Sequence, residues 1–177
     1  MASGIRNDLM LVFLLQSAII AHRKIRNKTS KVSEFMIIES FSREETLKLG
    51  QEMGEKAVPG VYCLMGDLGT GKTVFSQGFA KGLGIIEPVS SPTFTIVQEY
   101  EEGRLPFYHF DVYRIEDVEE MYEIGYEDYF FGRGVCLVEW SNLIEELLPN
   151  NRVEITIKKD NEKGFDYRLI EITGEIK

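Results

Sequence analysis

Val61-Tyr62-Cys63-Leu64-Met65 is a continuous apolar run, and the residues after it, Gly66-Asp67-Leu68-Gly69-Thr70-Gly71-Lys72-Thr73, match G-x-x-x-x-G-K-[ST] at every fixed position. An uninterrupted apolar run of this length has the pattern of a strand buried on both faces. Beyond the glycine-rich stretch, Phe75, Phe79, Ala80 and Leu83 recur at helical spacing until Gly82 and Gly84 end the helix. Strand, glycine-rich turn and amphipathic helix in this order read as an α/β domain of the P-loop NTPase type. Glycines let the backbone bend so that successive N–H groups converge on one anion. The helix that starts near Lys72 aims its positive end at the same point. Lys72 is spaced to reach β- and γ-phosphate oxygens, and the Thr73 hydroxyl to ligate Mg2+. Gly66, Asp67, Leu68, Gly69, Thr70, Gly71, Lys72 and Thr73 are therefore the candidate nucleotide-binding residues.

The flanking segments fill out the sheet. Residues 37–39 are β-prone, and Ser42 with Glu45 three positions on forms a capping box for a helix whose Leu47, Leu49 and Met53 supply apolar contacts. Residues 94–100 and 106–114 read as two strands of a hairpin around the turn 101–105. Residues 118–131, acidic and aromatic, read as two short helices broken near Gly125. Val135-Cys136-Leu137-Val138 is a second doubly buried strand, followed by a helix over 143–148. Residues 152–159 and 166–173 alternate apolar and polar side chains, as a final hairpin with one wet face does. The expected sheet is mixed: mostly parallel in the centre, with antiparallel hairpin strands at the edges.

Among 177 residues, 20 Lys and Arg stand against 29 Asp and Glu, a net charge of −9. Residues 1–35 carry six basic and two acidic side chains, so residues 36–177 carry 14 and 27, a net of −13. That excludes a protein that coats nucleic acid with its whole surface. Two cysteines and two histidines offer neither a disulfide framework nor zinc-ligand spacing, and a reduced, cytoplasmic setting is expected. The apolar run 9–21 is shorter than the roughly 20 residues a membrane-spanning helix needs. Its flanks do not suit a signal peptide, since Asp8 precedes it and the main basic cluster follows. A weak membrane-surface anchor, a transit-like leader and sequence ahead of the working start codon remain as readings of 1–35. Met36 is taken to open a single domain, 36–177, with no stable membrane association.

A nucleotide-hydrolysing site needs an acidic residue at the end of a strand near the phosphate loop. Glu139 follows the buried run 135–138, the pattern of a strand beside the phosphate-loop strand, and is assigned to the Mg2+ side. Asp111 follows Phe107-Tyr108-His109-Phe110, a less uniformly apolar stretch with the look of a sheet-edge strand, and is assigned to the γ-phosphate or the attacking water. The two roles are interchangeable on pattern alone. Thr93, in Ser90-Ser91-Pro92-Thr93, has the placement of a switch threonine or of a plain turn. Trp140 is suited to stack on the base, to meet a partner or to fill the core. His109, in an aromatic strand, reads as structural.

The phosphate loop, S-S-P-T-F (90–94), Y-H-F-D-V-Y-R (108–114) and C-L-V-E-W (136–140) occur in that order, and together they resemble the bacterial TsaE (YjeE) family over about residues 37–173. The resemblance implies a slow ATPase of tRNA threonylcarbamoyladenosine biosynthesis that works with two paralogous transferase-complex subunits, of the TsaB and TsaD types. Its hydrolysis would reset that complex, and tRNA would be met mainly through it. The resemblance also implies catalytic Lys72, Asp111, Glu139 and Thr93, Mg2+ held by Thr73 and Glu139, and Trp140 by the nucleotide. The 1–35 extension departs from the family pattern. A GTPase is disfavoured, because no [NT]-K-x-D follows the loop and Arg114 stands where D-x-x-G needs glycine. A small-molecule kinase is the main rival, although its phosphoryl-covering lid usually bears arginine and residues 116–131 carry no basic side chain. A non-hydrolysing nucleotide-bound scaffold is the third class.

Overall fold

The computed structural model describes residues 20–22, 25–26 and 32–174. In chain order these form β1 (Ile20–His22), β2 (Ile25–Arg26), β3 (Val32–Ser40), α1 (Arg43–Lys56), β4 (Gly60–Met65), α2 (Lys72–Gly82), β5 (Val97–Tyr100) and β6 (Phe107–Asp111). There follow α3 (Glu119–Glu123), α4 (Tyr126–Phe130), β7 (Val135–Glu139), a 3₁₀ segment (Ser141–Leu147), β8 (Arg152–Lys159) and β9 (Arg168–Gly174). Most of the basic cluster and most of the apolar run of the N-terminal segment lie outside the described residues.

The sheet runs β3-β9-β8-β4-β7-β6-β5, and β1 and β2 pair with β3. Its centre is parallel, with β4 between β8 and β7, and β6 on the far side of β7. The β5–β6 and β8–β9 hairpins are antiparallel, as is β3 against β9. The expected architecture is thus present. One expectation changes: β6 is not an edge strand, because β5 folds back over its outer side and leaves His109, Phe110 and Asp111 buried.

Both faces of β4 are covered, which is why its sequence is apolar without alternation. Tyr62 and Leu64 pack with Phe75, Phe79 and Leu83 of the α1–α2 layer. Val61 and Cys63 pack on the other face with Phe110, Met121, Phe130 and Ile144. Burial pushes the Cys63 and Cys136 thiols up to about 12, so both stay protonated and unreactive at neutral pH.

The α1–α2 layer is built on backbone contact. Gly50 and Gly54 of α1 face Gly78 and Gly82 of α2, and a Cβ on Gly54 would sit 2.0 Å from Phe79 O, one on Gly78 2.0 Å from Leu47 O. Only glycine admits that approach, and it seats α2, which begins at Lys72, directly on α1. At the start of α1 the Ser42 hydroxyl accepts from Glu45 N at 3.1 Å, as the capping box requires. Glu45 Oε2 in return accepts from Phe41 N at 2.7 Å, one residue earlier than the motif predicts. Arg104 reaches back from the β5–β6 turn to donate to Gly54 O at 2.7 Å, closing the far end of the helix.

Local boundaries shift where side chains cannot be read as turns. Residues 94–96 do not extend β5, because Thr95 N and Ile96 N both donate to Pro92 O and form a tight turn with Ile96 at φ +65°. Residues 112–114 leave β6 once Tyr113 N turns onto the Asp111 carboxylate at 3.1 Å. The helix expected over 143–148 is a kinked 3₁₀ segment, entered through Trp140 in the left-handed region. Strand β3 begins at Val32, ahead of Met36, and its pairing with β9 starts at Glu34. The break near Gly125 is as expected, with that glycine at φ +67° between α3 and α4.

Candidate active site

Strand β4 delivers the chain to Gly66, and the loop closes on α2 at Gly71. Gly66 has φ +147°, and a Cβ there would meet Ile157 O of β8 at 2.5 Å. Gly71, the N-cap of α2, sits at φ +99° with no side chain to cap the helix. The first N–H groups of α2 have no partner within the helix and point into the loop. Thr70 is buried and ties the loop to itself, its hydroxyl donating to Asp67 O at 2.9 Å. The Asp67 and Leu68 side chains are exposed, Leu68 at the cavity wall, and the Leu68 carbonyl accepts from Lys159 Nζ at 3.0 Å.

Lys72 is buried and its ammonium donates to Gly66 O at 2.7 Å and Asp67 O at 3.0 Å. Its pKa is lowered, first by burial, against the pull of Glu139, Asp111 and Asp67 toward the charged form. The Nζ also lies 3.8 Å from the centre of the Trp140 ring, a cation–π contact. Trp140 holds φ +62°, an unusual backbone for a bulky residue, with its N–H on Leu64 O at 3.1 Å. That conformation turns a half-buried ring onto the lysine, so Trp140 belongs to the phosphate end of the loop. Of the three placements open for Trp140 from sequence, the structure shows a half-buried ring on the wall of the cavity, against Lys72.

The two carboxylates are register partners, Asp111 of β6 opposite Glu139 of β7, so they emerge side by side on the α1–α2 face of the sheet. Asp111 Oδ2 accepts from Thr93 Oγ1 at 2.7 Å and from the Ser91 hydroxyl, and the two hydroxyls lie 3.0 Å apart. Glu139 Oε1 is 2.9 Å from Ser76 Oγ and 2.9 Å from His109 Nε2. Both carboxylates are almost wholly buried, at 3% and 2% exposure, yet both reach the wall of one cavity of ≈ 570 Å³ over the phosphate loop. Thr73, Thr93 and Trp140 line the same cavity together with residues 68–72, so the nominated residues other than Gly66 and Asp67 converge there.

Two arginines join them that the sequence did not nominate. Arg43, from the first turn of α1, and Arg168, from the start of β9, also line the cavity. Arg168 Nε donates to Thr70 O at 2.6 Å, tying the C-terminal hairpin to the phosphate loop. No motif marks either residue; only the pairing of β9 beside β8 brings Arg168 there. Ser76 was equally hidden, and His109, read as structural, sits two residues before Asp111 and therefore on the same strand face. That period of two was the available signal.

A family model described as "Threonylcarbamoyl adenosine biosynthesis protein TsaE" matches residues 40–169, a span holding every residue of the site. This chain belongs to the TsaE family. It is 53% identical over 132 residues to the tRNA threonylcarbamoyladenosine biosynthesis protein TsaE of Bacillus subtilis, covering 74% of this chain and 80% of that protein. With the TsaE of Treponema pallidum it shares 41% over 120 residues, 67% of this chain and 88% of the other. The crystal structure of Bacillus subtilis YdiB superimposes with a TM-score of 0.68 at 44% identity, covering 82% of this chain and 88% of that one. Family membership and fold agree with the resemblance read from the four motifs. Among the described residues no helix is long and apolar enough to cross a membrane.

Proposed function

We propose that this TsaE-family chain binds ATP over Gly66–Thr73 and hydrolyses it, as the nucleotide-driven component of tRNA threonylcarbamoyladenosine biosynthesis. The observation that carries this reading is the convergence on one cavity of a glycine loop at a helix N-terminus, a buried lysine and two in-register carboxylates. Loop N–H groups and Lys72 bind the phosphate tail, and the lysine, already close to loop carbonyls, exchanges those acceptors for phosphate oxygens. Trp140, in contact with Lys72, is placed beside the phosphate tail, and Arg43 and Val74 line the same cavity.

Thr73 and Glu139 are the proposed Mg2+ ligands, both oxygen donors of the kind that ion takes. Among the described residues no cluster of three or more His, Cys, Asp or Glu forms a protein-only metal site, which suits an ion shared with phosphates and water. When bound, Mg2+ would neutralise charge on the β- and γ-phosphate oxygens. Asp111, through Thr93 and Ser91, holds the 90–96 loop against the γ-phosphate side. Hydrolysis is proposed to reset the two-subunit transferase partner, of TsaB and TsaD type. With a net charge of −13 over residues 36–177, tRNA contact falls mainly to that partner complex.

ADP release from the full chain with ATP and Mg2+, alone and with the two partner subunits, tests the proposal. Slow turnover that accelerates with the partners is expected, and Lys72→Ala should reduce it by about 10²–10³-fold or more. Phosphate delivered to a small acceptor would establish the kinase instead, and bound nucleotide without turnover the scaffold.

A further inference from the structure

Glu139 Oε1 has two neighbours able to donate to it, and they are not equivalent. The Ser76 hydroxyl carries one hydrogen and lies 2.9 Å from Glu139 Oε1 and 3.0 Å from Lys72 O, the carbonyl one turn back on its own helix. It serves one acceptor at a time. The His109 Nε2, at 2.9 Å, has no acceptor other than Glu139 among the described residues. Its ring is wholly buried and lies nearly parallel to Phe107, with centroids 6.0 Å apart and planes 17° from each other, so its direction is set by packing.

Stability does not account for a histidine here. His109 Nδ1 is buried with no hydrogen-bond partner among the described residues, and an unmet buried polar atom costs about 1–3 kcal/mol. An apolar ring of the same size would avoid that cost. What an apolar ring would lose is the one N–H reserved for Glu139.

Resting on the ATPase reading above, we propose that His109 is a positioning residue: it pins Glu139 Oε1 from the β6 side so that the second oxygen, Oε2, stays turned toward the phosphates. Oε2 has no hydrogen-bond partner among the described residues, and Glu139 lines the cavity. One carboxylate oxygen is anchored and the other is left for the nucleotide. An outer donor that orients a ligating or catalytic carboxylate changes activity by about 10–100-fold when removed.

The test compares His109→Phe, which keeps a flat ring and removes the donor, with His109→Gln, which restores an N–H at similar reach. ADP release is measured on the full chain with ATP and Mg2+, together with thermal melting. His109→Phe should lower kcat by about 10–100-fold, leave KM for ATP within about twofold and keep or raise Tm, and His109→Gln should recover most of kcat. If His109→Phe does not fold, His109→Leu takes its place against His109→Gln. Unchanged kcat in the donor-less variant, or equal losses with Gln and Phe, overturns the positioning role. No turnover by the wild-type chain, with or without partner subunits, overturns the ATPase reading first and this inference with it.

Discussion

Asp111 and Glu139 occupy facing rungs of neighbouring parallel strands, and the surroundings of the two carboxyl groups differ in kind. Asp111 is bound to the surface loop: its partners are the Ser91 and Thr93 hydroxyls and the Tyr113 N–H, from residues that are half-buried or exposed. Glu139 is bound to the core: Ser76 and His109 are both at 0% exposure, one on the phosphate-loop helix and one on β6. The same side-chain chemistry at the same height in the sheet thus connects outward in one case and inward in the other. The contrast is one of attachment: Asp111 is held to the 90–96 loop, and Glu139 to side chains of the core.

The strongest challenge to that contrast is the pair Glu139→Gln and Asp111→Asn. Glu139→Gln should lower kcat by about 10²-fold or more with ATP affinity nearly retained, because the scaffold around it stays in place. Asp111→Asn should in addition release residues 90–96, seen as faster hydrogen exchange there and weaker ATP binding by calorimetry. Equal loop exchange in the two variants would erase the distinction.

Gly78→Ala probes the core side alone. Its new Cβ would fall 2.0 Å from Leu47 O, forcing α2 off α1 and carrying Ser76 with it. Overpacking of this kind costs about 1–3 kcal/mol, and for a chain of this size that lowers Tm by roughly 3–10 °C. Hydrogen exchange at 90–96 should not change; if it rises with the loss of stability, the two carboxylate environments are not separable.

The smallest effect is optical. Because Trp140 contacts Lys72 at the phosphate end, its fluorescence should respond to ATP and GTP alike and less to ADP, by an amount of order tens of per cent. A response that follows the base and ignores the third phosphate would move Trp140 to the base and break the proposed orientation.

Much of this is legible in the sequence. A run without polar alternation announces a strand covered on both faces, and glycines followed by Lys-Thr announce an anion site at a helix start, because both patterns are local. Asp111, Glu139 and Thr93 were legible for a related reason, lying at strand ends or on a Pro-stiffened loop next to that site. The readings that changed are those in which apolar or β-prone composition left the pairing of the backbone undecided. β6 resembled an edge until β5 covered it, and residues 94–96 resembled strand until Pro92 O drew in two N–H groups. Arg168, 96 positions beyond Lys72, carries no local mark at all.

By itself the sequence determined the phosphate loop, the two-sided burial of β4 and the presence of acidic strand ends, since each rests on the spacing of residues within one segment. The tertiary structure alone decided which groups hold those acids. Strand register sets Asp111 beside Glu139, and glycine contacts between helices set Ser76 within reach of it. Such pairings depend on how segments far apart in the chain are brought together, and residue spacing within a segment does not encode that.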